Sequence, residues 1–352
     1  MKILYTLPLL LLSAPLISGA MGKDVEKPTG TYASKITPRA VQNQHMQGGL
    51  VRVTWSEIEP QRGRFDFTPI ERQLELLKPG MNWTLAIHGG WTSTNVADQS
   101  APRWRRARAL APGWLVSELH VETFAMNFRG NPVQMPKYWD PVVQQRLKAM
   151  LTAVGKRYRS DPRLKLIYVP QMTSNGTEGH FNGVPSQTLL EAAGLNPRDA
   201  DAEQQFGDLW LKAAAGATHS VLQAFPDKAV AFEVHELFRS VAIPQRLINE
   251  FQKPEYENRV GLGMWWISGK TEYQGNLLRL LKDYPGDLYG QIIGRSDQHY
   301  RFPNGDYLTV FQQAEALGMR YIEPWNYEFE HHTCDEALKN FNASARVRYA
   351  GS

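Results

Sequence analysis

The sequence predicts an α/β fold, a closed (β/α)8 TIM barrel, on three observations. Eight apolar runs of strand length alternate with helical patterns along the chain, the signature of parallel strands joined by crossover helices. No internal repeat or low-complexity linker interrupts them, and no glycine-rich phosphate loop follows the first strand, so a closed barrel fits better than a doubly wound open sheet.

In chain order, a weak strand at 30–34 precedes a clear one at 50–55, the turn Glu59-Pro60-Gln61-Arg62-Gly63, and a helix over 68–78 that Pro79-Gly80 ends. A third strand spans 83–88. The stretch 89–139 is irregular, rich in Trp, Arg, Pro and Gly, and far longer than ordinary connections of about 4–6 residues; such a loop is either functional or disordered, and its aromatic content argues for function. Asp140-Pro141 opens a helix to 158, with Asp as N-cap and Pro in the first turn. Strands at 164–172, 229–235, 260–266, 288–293 and 320–325 follow, separated by helices at 202–224, 244–251, 276–283 and 307–317.

Lys2, an apolar run over 3–17 and then Ser18, Gly19 and Ala20 read as an export signal cleaved after Ala20. That run is shorter than the about 20 apolar residues a membrane span requires, and no later segment reads as one. The expectation is a secreted or periplasmic protein with a signal peptide at 1–20 and a single barrel domain at 21–352. The lone cysteine, Cys334, forms no internal disulfide, so a large core must supply stability, in keeping with 42% hydrophobic content. A formal charge of +4, without basic clusters interleaved with aromatics, points away from a nucleic-acid partner. The run Arg103 to Arg108 reads as solvated surface.

In such barrels reactive groups stand at the C-terminal ends of the strands. Collected there are Arg52, Trp55 and Glu57; His88 and Trp91; Gln171, Glu178 and His180; Glu233, His235 and Glu236; Trp265 and Trp266; Gln291, Arg295 and Asp297; and Glu323, Trp325, Asn326 and Tyr327. Carboxylates, imidazoles, amides and tryptophans on one rim suit glycoside hydrolysis, which needs two carboxyls about the scissile bond and planar rings to hold the sugar. Many of the ten Trp, fourteen Tyr and fourteen Phe must be core, and the informative ones fall at strand ends beside polar partners. Trp265 and Trp266 are adjacent on a strand, so at most one faces the mouth and the other packs against helices.

The segment Arg52-Val-Thr-Trp55-Ser-Glu-Ile-Glu59-Pro60-Gln-Arg-Gly63-Arg-Phe-Asp66-Phe67 resembles the strand-two signature of clan A glycoside hydrolases, the clan of the GH42-like β-galactosidases, over sixteen residues. A second stretch, Pro136 to Glu178, resembles the approach to that clan's acid/base glutamate. The resemblance implies a glycosidase acting on an oligo- or polysaccharide, without cofactor, with Glu178 as acid/base. Thr177 stands where better-known members carry the Asn that binds the 2-hydroxyl, leaving Asn175 to substitute. The clan's nucleophile ends the seventh strand, where this chain has Gln291. Either the chain departs from the usual retaining enzyme or the strand count is off by one. Glu323 is the first replacement and Glu236 the second, with Arg52, Trp55, His88, Gln171, Asn175, His180, His235, Trp265, Trp266, Gln291, Trp325 and Asn326 as sugar-binding groups.

Each assignment has a plainer counterpart. Glu59 reads as a turn carboxylate pairing with Arg62 or Arg64, Glu178 as a turn cap, and Glu323 as an internal partner of Arg52 or Arg295. No close histidine spacing suggests a metal site. A barrel that binds glycan without cleaving it is the alternative function.

Overall fold

Alternation along eight parallel strands builds the barrel and fills it. The structure is a computed structural model that describes residues 25–92 and 109–351; the expected leader and the run Arg103 to Arg108 lie outside the described residues. Ten strands occur among them: β1 (Gly30–Ala33), β2 (Gly48–Thr54), β3 (Asn82–His88), β4 (Thr123–Phe128), β5 (Asn131–Pro136), β6 (Leu164–Tyr168), β7 (Ala229–Glu233), β8 (Val260–Ile267), β9 (Leu288–Ile292) and β10 (Tyr321–Glu323). The barrel closes in the order β1-β10-β9-β8-β7-β6-β3-β2, and β4 and β5 form a separate antiparallel hairpin.

Helices α1 (Trp55–Ile58) and α2 (Thr68–Leu74) follow β2. Within the long stretch after β3, α3 (Trp114–Ser117) precedes the hairpin and α4 (Pro141–Tyr158) follows it. Next come α5 (Ser186–Ala192) and α6 (Ala202–Ala224), α7 (Ala242–Phe251), α8 (Gly275–Lys282), α9 (Thr309–Leu317), α10 (Asn326–His331) and α11 (Asp335–Arg348). No helix among the described residues is long and apolar enough to cross a membrane.

Successive strand side chains point to opposite faces, and two clusters result. Leu50, Ala86, Leu166, Tyr168, Ala229, Ala231, Trp265, Tyr289 and Tyr321 belong to one buried cluster. Their alternates, among them Val51, Leu85, Ile167, Val230 and Leu262, pack with the helices in the other. Small positions make room for the rings inside: a Cβ on Gly261 would meet the Tyr289 ring at 2.4 Å. Continuing the first series by two residues toward the C-terminal ends yields Arg52, His88, Glu233, Gln291 and Glu323, so the polar layer is the next layer of the core.

Several boundaries differ from the sequence expectation, each for a local reason. The strand expected to reach Trp55 ends at Thr54, which caps α1 in a reciprocal capping box with Glu57. The strand expected over 164–172 stops at Tyr168, since Pro170 has no N–H for the ladder. The stretch expected to be irregular contains α3 and a hairpin turned at Arg129 and Gly130, both at positive φ. Between β1 and β2 only a 3₁₀ turn, Ala40–Gln42, occurs. There α11 completes the wall: Asn342 accepts from Thr31 N–H at 2.7 Å and donates to the His45 carbonyl at 2.8 Å.

Glu59 is fully buried and accepts from Trp55 Nε1 at 2.9 Å, from Gly63 N–H at 2.8 Å and from Arg146 on α4. Its cation is therefore Arg146 rather than the expected Arg62 or Arg64; Arg62 pairs with Glu118 at 3.4 Å. This bond set ties the β2 exit to α4. Arg146→Met leaves a buried carboxylate without its cation and is expected to destabilise the fold by about 3 kcal/mol. Urea unfolding checks this; an unchanged midpoint would contradict the role.

Candidate active site

The loop leaving β6 carries the central residue, and backbone bonds hold it across the barrel mouth. The Gly176 carbonyl accepts from Gly89 N–H and Gln171 N–H, each at 3.0 Å. Gly176 has φ +83°, and a Cβ there would lie 2.5 Å from the Gly89 oxygen, so only glycine fits. Trp91 Nε1 donates to the Ser174 carbonyl at 3.1 Å, and the Gln171 amide donates to the carbonyls of Thr177 (2.7 Å) and Glu233 (2.9 Å). Gln171, expected to bind sugar, is fully buried and acts as this clamp instead.

On that loop Asn175 accepts from Glu178 N–H at 2.8 Å through Oδ1 while its amide donates to Glu178 Oε1. The side chain is committed to Glu178 rather than free to replace the Asn that Thr177 displaces. Glu178 Oε2 lies 3.2 Å from His235 Nε2 and 3.5 Å from His180 Nε2. His235 Nε2 is also 3.2 Å from Glu233 Oε1, and Glu233 is itself held by Gly179 N–H at 2.6 Å and Trp265 N–H at 3.1 Å. Glu178 is 20% exposed, His180 16%, His235 6% and Glu233 not at all, so Glu178 and His180 meet solvent while Glu233 stands behind.

Burial alone raises a carboxyl's pKa. At Glu178 the hydrogen bonds from His180 and His235, and their charges, outweigh burial and hold it well below the usual carboxylate range. At Glu233 burial wins and the pKa is raised, despite the opposing pull of His235. His235 resists burial through the Glu233 charge and its bonds to both carboxylates, and is pushed up to about 10.

Folding brings donor atoms of Glu178, His180 and His235 within 4.8 Å of one another, which the spacing of histidines along the chain did not foretell. That distance alone admits a metal ion. The hydrogen bonds argue otherwise: His180 Nδ1 accepts from Asn182 N–H at 3.2 Å, and His235 Nδ1 accepts from the Gln274 amide at 2.9 Å. With Nδ1 accepting, each ring carries a proton on Nε2, aimed at the Glu178 carboxylate, where a metal needs a lone pair; protonation of His235 Nδ1 as well leaves Nε2 equally unable to bind a metal.

Beneath lies a second carboxylate. Glu323 ends β10, is fully buried, and accepts from Tyr168 OH (2.9 Å), Tyr321 OH (2.5 Å) and the Gln291 amide (2.5 Å). Burial raises its pKa, against the Arg52 charge and these three donors. Arg52 rests 4.9 Å over the Trp265 ring; its Nε and Nη2 have no hydrogen-bond partner among the described residues, and of the neighbouring charges those of Glu323 and then Glu178 act on it most strongly. Arg295, the other expected partner of Glu323, pairs with Asp297 at 2.9 Å. Gln291 does lie on the seventh barrel strand, so the strand count is not off by one.

His88 donates from Nδ1 to the Asn175 carbonyl at 2.7 Å. Glu236 borders a cleft of about 380 Å³ with His180, His235, Phe238 and Tyr273, and a neighbouring cleft of about 320 Å³ is lined by Asn127, Arg129, Asn175, Glu178 and His180. Trp265 is the inward member of its pair, while Trp266 donates to the Val234 carbonyl at 3.2 Å and joins the outer core. Trp55, expected at the rim, is fully buried against Trp114 in the outer core, because α1 turns it away from the mouth. Trp325 is half-buried, its Nε1 bonded to the Ile292 carbonyl at 2.8 Å, and Asn326 donates to Glu330 at 2.9 Å within α10. Glu233 was collected at its strand end without a role, and Tyr168, Tyr321 and Gln274 were not singled out by the sequence. The inward alternation on β6 and β10 carried a signal for the two tyrosines; nothing local marked Gln274.

No protein-family profile and no curated protein matches the sequence. The fold is shared with solved structures at low identity. The catalytic domain of a β-amylase from Paenibacillus polymyxa matches with a TM-score of 0.57 and 11% identity over 94% of this chain and 99% of that one. β-Galactosidases from Rahnella sp. R3 (TM-score 0.55, 12% identity, 94% of this chain) and Marinomonas ef1 (0.54, 13%, 91%) match as well; this chain spans 57% and 60% of their lengths. The class defined is the (β/α)8 barrel.

Desolvation and then the Arg52 charge hold His88 down at about 4, below the value near 6.5 of an unfolded chain. A depressed histidine contributes stability that is present above about pH 6.5 and lost as pH falls through 4, since the unfolded state binds more protons in that window. The urea midpoint of the wild type should therefore fall more steeply from pH 6.5 to 4 than that of His88→Gln. Parallel curves would contradict a neutral His88.

Proposed function

We propose that this chain is a glycoside hydrolase that cleaves O-glycosidic bonds of an oligo- or polysaccharide, with Glu178 as its acid/base and Glu323 as nucleophile or base. One observation carries the reading: Glu178 is a partly exposed carboxylate at the barrel mouth whose two oxygens are oriented by Asn175, His180 and His235. Clefts on either side of His180 provide room for sugar. The strand-two segment and the shared fold with a β-amylase and two β-galactosidases support the same class. The leader at 1–20 supports export to the periplasm or beyond; N-terminal sequencing of the mature protein should begin at Met21.

A second reading, glycan binding without cleavage, has one observation in its favour: Glu323 is wholly buried and its oxygens are occupied by three donors. Incubation with a polysaccharide panel separates the two, by new reducing ends or by retention without product. Glu178→Gln should lower turnover of unactivated glycosides by about 100-fold or more, the usual contribution of a general acid. Full turnover in that variant would remove Glu178 from the chemistry, and comparing Glu323→Gln with Glu236→Gln identifies the second carboxylate.

A further inference from the structure

To protonate a leaving oxygen, Glu178 must first hold a proton, yet its surroundings keep it ionised. Two imidazoles touch its carboxylate, and they are not equivalent. His180 lies 3.5 Å away on the same loop. His235 is closer, at 3.2 Å, more enclosed, and backed by a second carboxylate, Glu233, at 3.2 Å. Glu233 cannot move away, because Gly179 N–H and Trp265 N–H fix both of its oxygens.

We propose that His235 is the proton store for Glu178 and that Glu233 is the buried counter-charge that keeps it filled. The chemistry rests on the hydrolase reading. In the step His235 starts as the imidazolium, with the Gln274 amide reversed so that its oxygen accepts from Nδ1–H; the Nε2 proton passes to Glu178 Oε2, leaving a neutral ring, and Glu178 gives a proton to the glycosidic oxygen as the bond from the anomeric carbon breaks and the leaving group departs as an alcohol. Water adds at that carbon, and the proton it sheds returns through Glu178 to His235 Nε2. One water is consumed, one bond is cleaved, and the charge of the trio is restored.

Gln274 makes the ring's second proton conditional. Its Oε1 accepts from Glu236 N–H at 2.8 Å, which turns its amide nitrogen toward His235 Nδ1 at 2.9 Å. A proton on Nδ1 requires this amide to reverse and give up the bond to Glu236. The charged and titratable groups about the ring are Glu178 and His180 from the β6 loop, Glu233 on β7, Glu236 and Arg239 beyond it, and Tyr273 after β8. Trp266 closes one side, its ring 5.7 Å from that of His235.

The test follows the His235 titration by nitrogen-15 NMR of the full chain labelled at histidine. Glu233→Gln should lower the midpoint. Gln274→Glu, which keeps the acceptor for Glu236 N–H and gives Nδ1–H a carboxylate, should raise it. Kinetically, His235→Gln should slow cleavage of methyl glycosides of galactose, glucose and xylose about 100-fold more than of their 2,4-dinitrophenyl counterparts, whose leaving group needs no acid. In Gln274→Glu the alkaline limb of the pH–rate profile should move to higher pH. A midpoint unmoved in both variants, or equal losses on both leaving groups, overturns the proposal. Failure of the wild type to cleave any glycoside overturns the hydrolase reading instead, while the titrations still decide what His235 does.

Discussion

The structure depends most on one carboxylate held in place by three side chains. Glu178 sits on a loop, where an unsupported side chain would sample many rotamers, yet Asn175 grips one oxygen and His235 and His180 face the other. The surrounding features serve that arrangement. Gly176 allows the loop to cross close to Gly89, Gln171 ties it to β7, and Trp91 pins its crest. A site of this kind needs a rigid support because small displacements forfeit orientation.

The support is the barrel interior. Small residues on β7 and β8 leave space for Tyr168, Tyr289, Tyr321 and Trp265, and these rings form the floor under the polar layer. Two of the tyrosines also donate to Glu323, so the same side chains fill the core and orient a buried charge. Arg52, stacked on Trp265, places a positive charge in the same layer, where it stabilises the Glu323 carboxylate and adds to the burial that holds His88 neutral. Core packing and electrostatics are thus properties of one set of residues.

Much of this was legible in the sequence because it follows from period and polarity. The eight strands and the main crossover helices read from apolar runs, and the strand-end rule brought Glu178, His180, His235, Glu323, Arg52 and His88 together. What escaped depends on contacts between distant segments. Trp55 looked like a rim aromatic until Thr54 and Glu57 turned it into a helix. Glu59 found its cation 87 residues away on α4 rather than in its own turn. Gln171 and Asn175 read as ligands for sugar, but backbone carbonyls and Glu178 itself occupy them. The grouping of Glu233, His235 and Gln274 joins β7 to the loop after β8, a contact no local pattern announces. The closing helix α11 was missed as well, since only its packing on β1 defines its place.

Hydrolysis by this barrel requires Glu178 to meet the glycosidic bond. A crystal structure with a non-hydrolysable thio-linked oligosaccharide tests this directly. The prediction is a linking sulfur near Glu178 Oε2, at roughly the 3 Å of a hydrogen-bond contact, with sugar rings extending into the clefts on both sides of His180. A saccharide seated elsewhere on the barrel, or one in the mouth whose linkages all lie out of reach of Glu178, would contradict it.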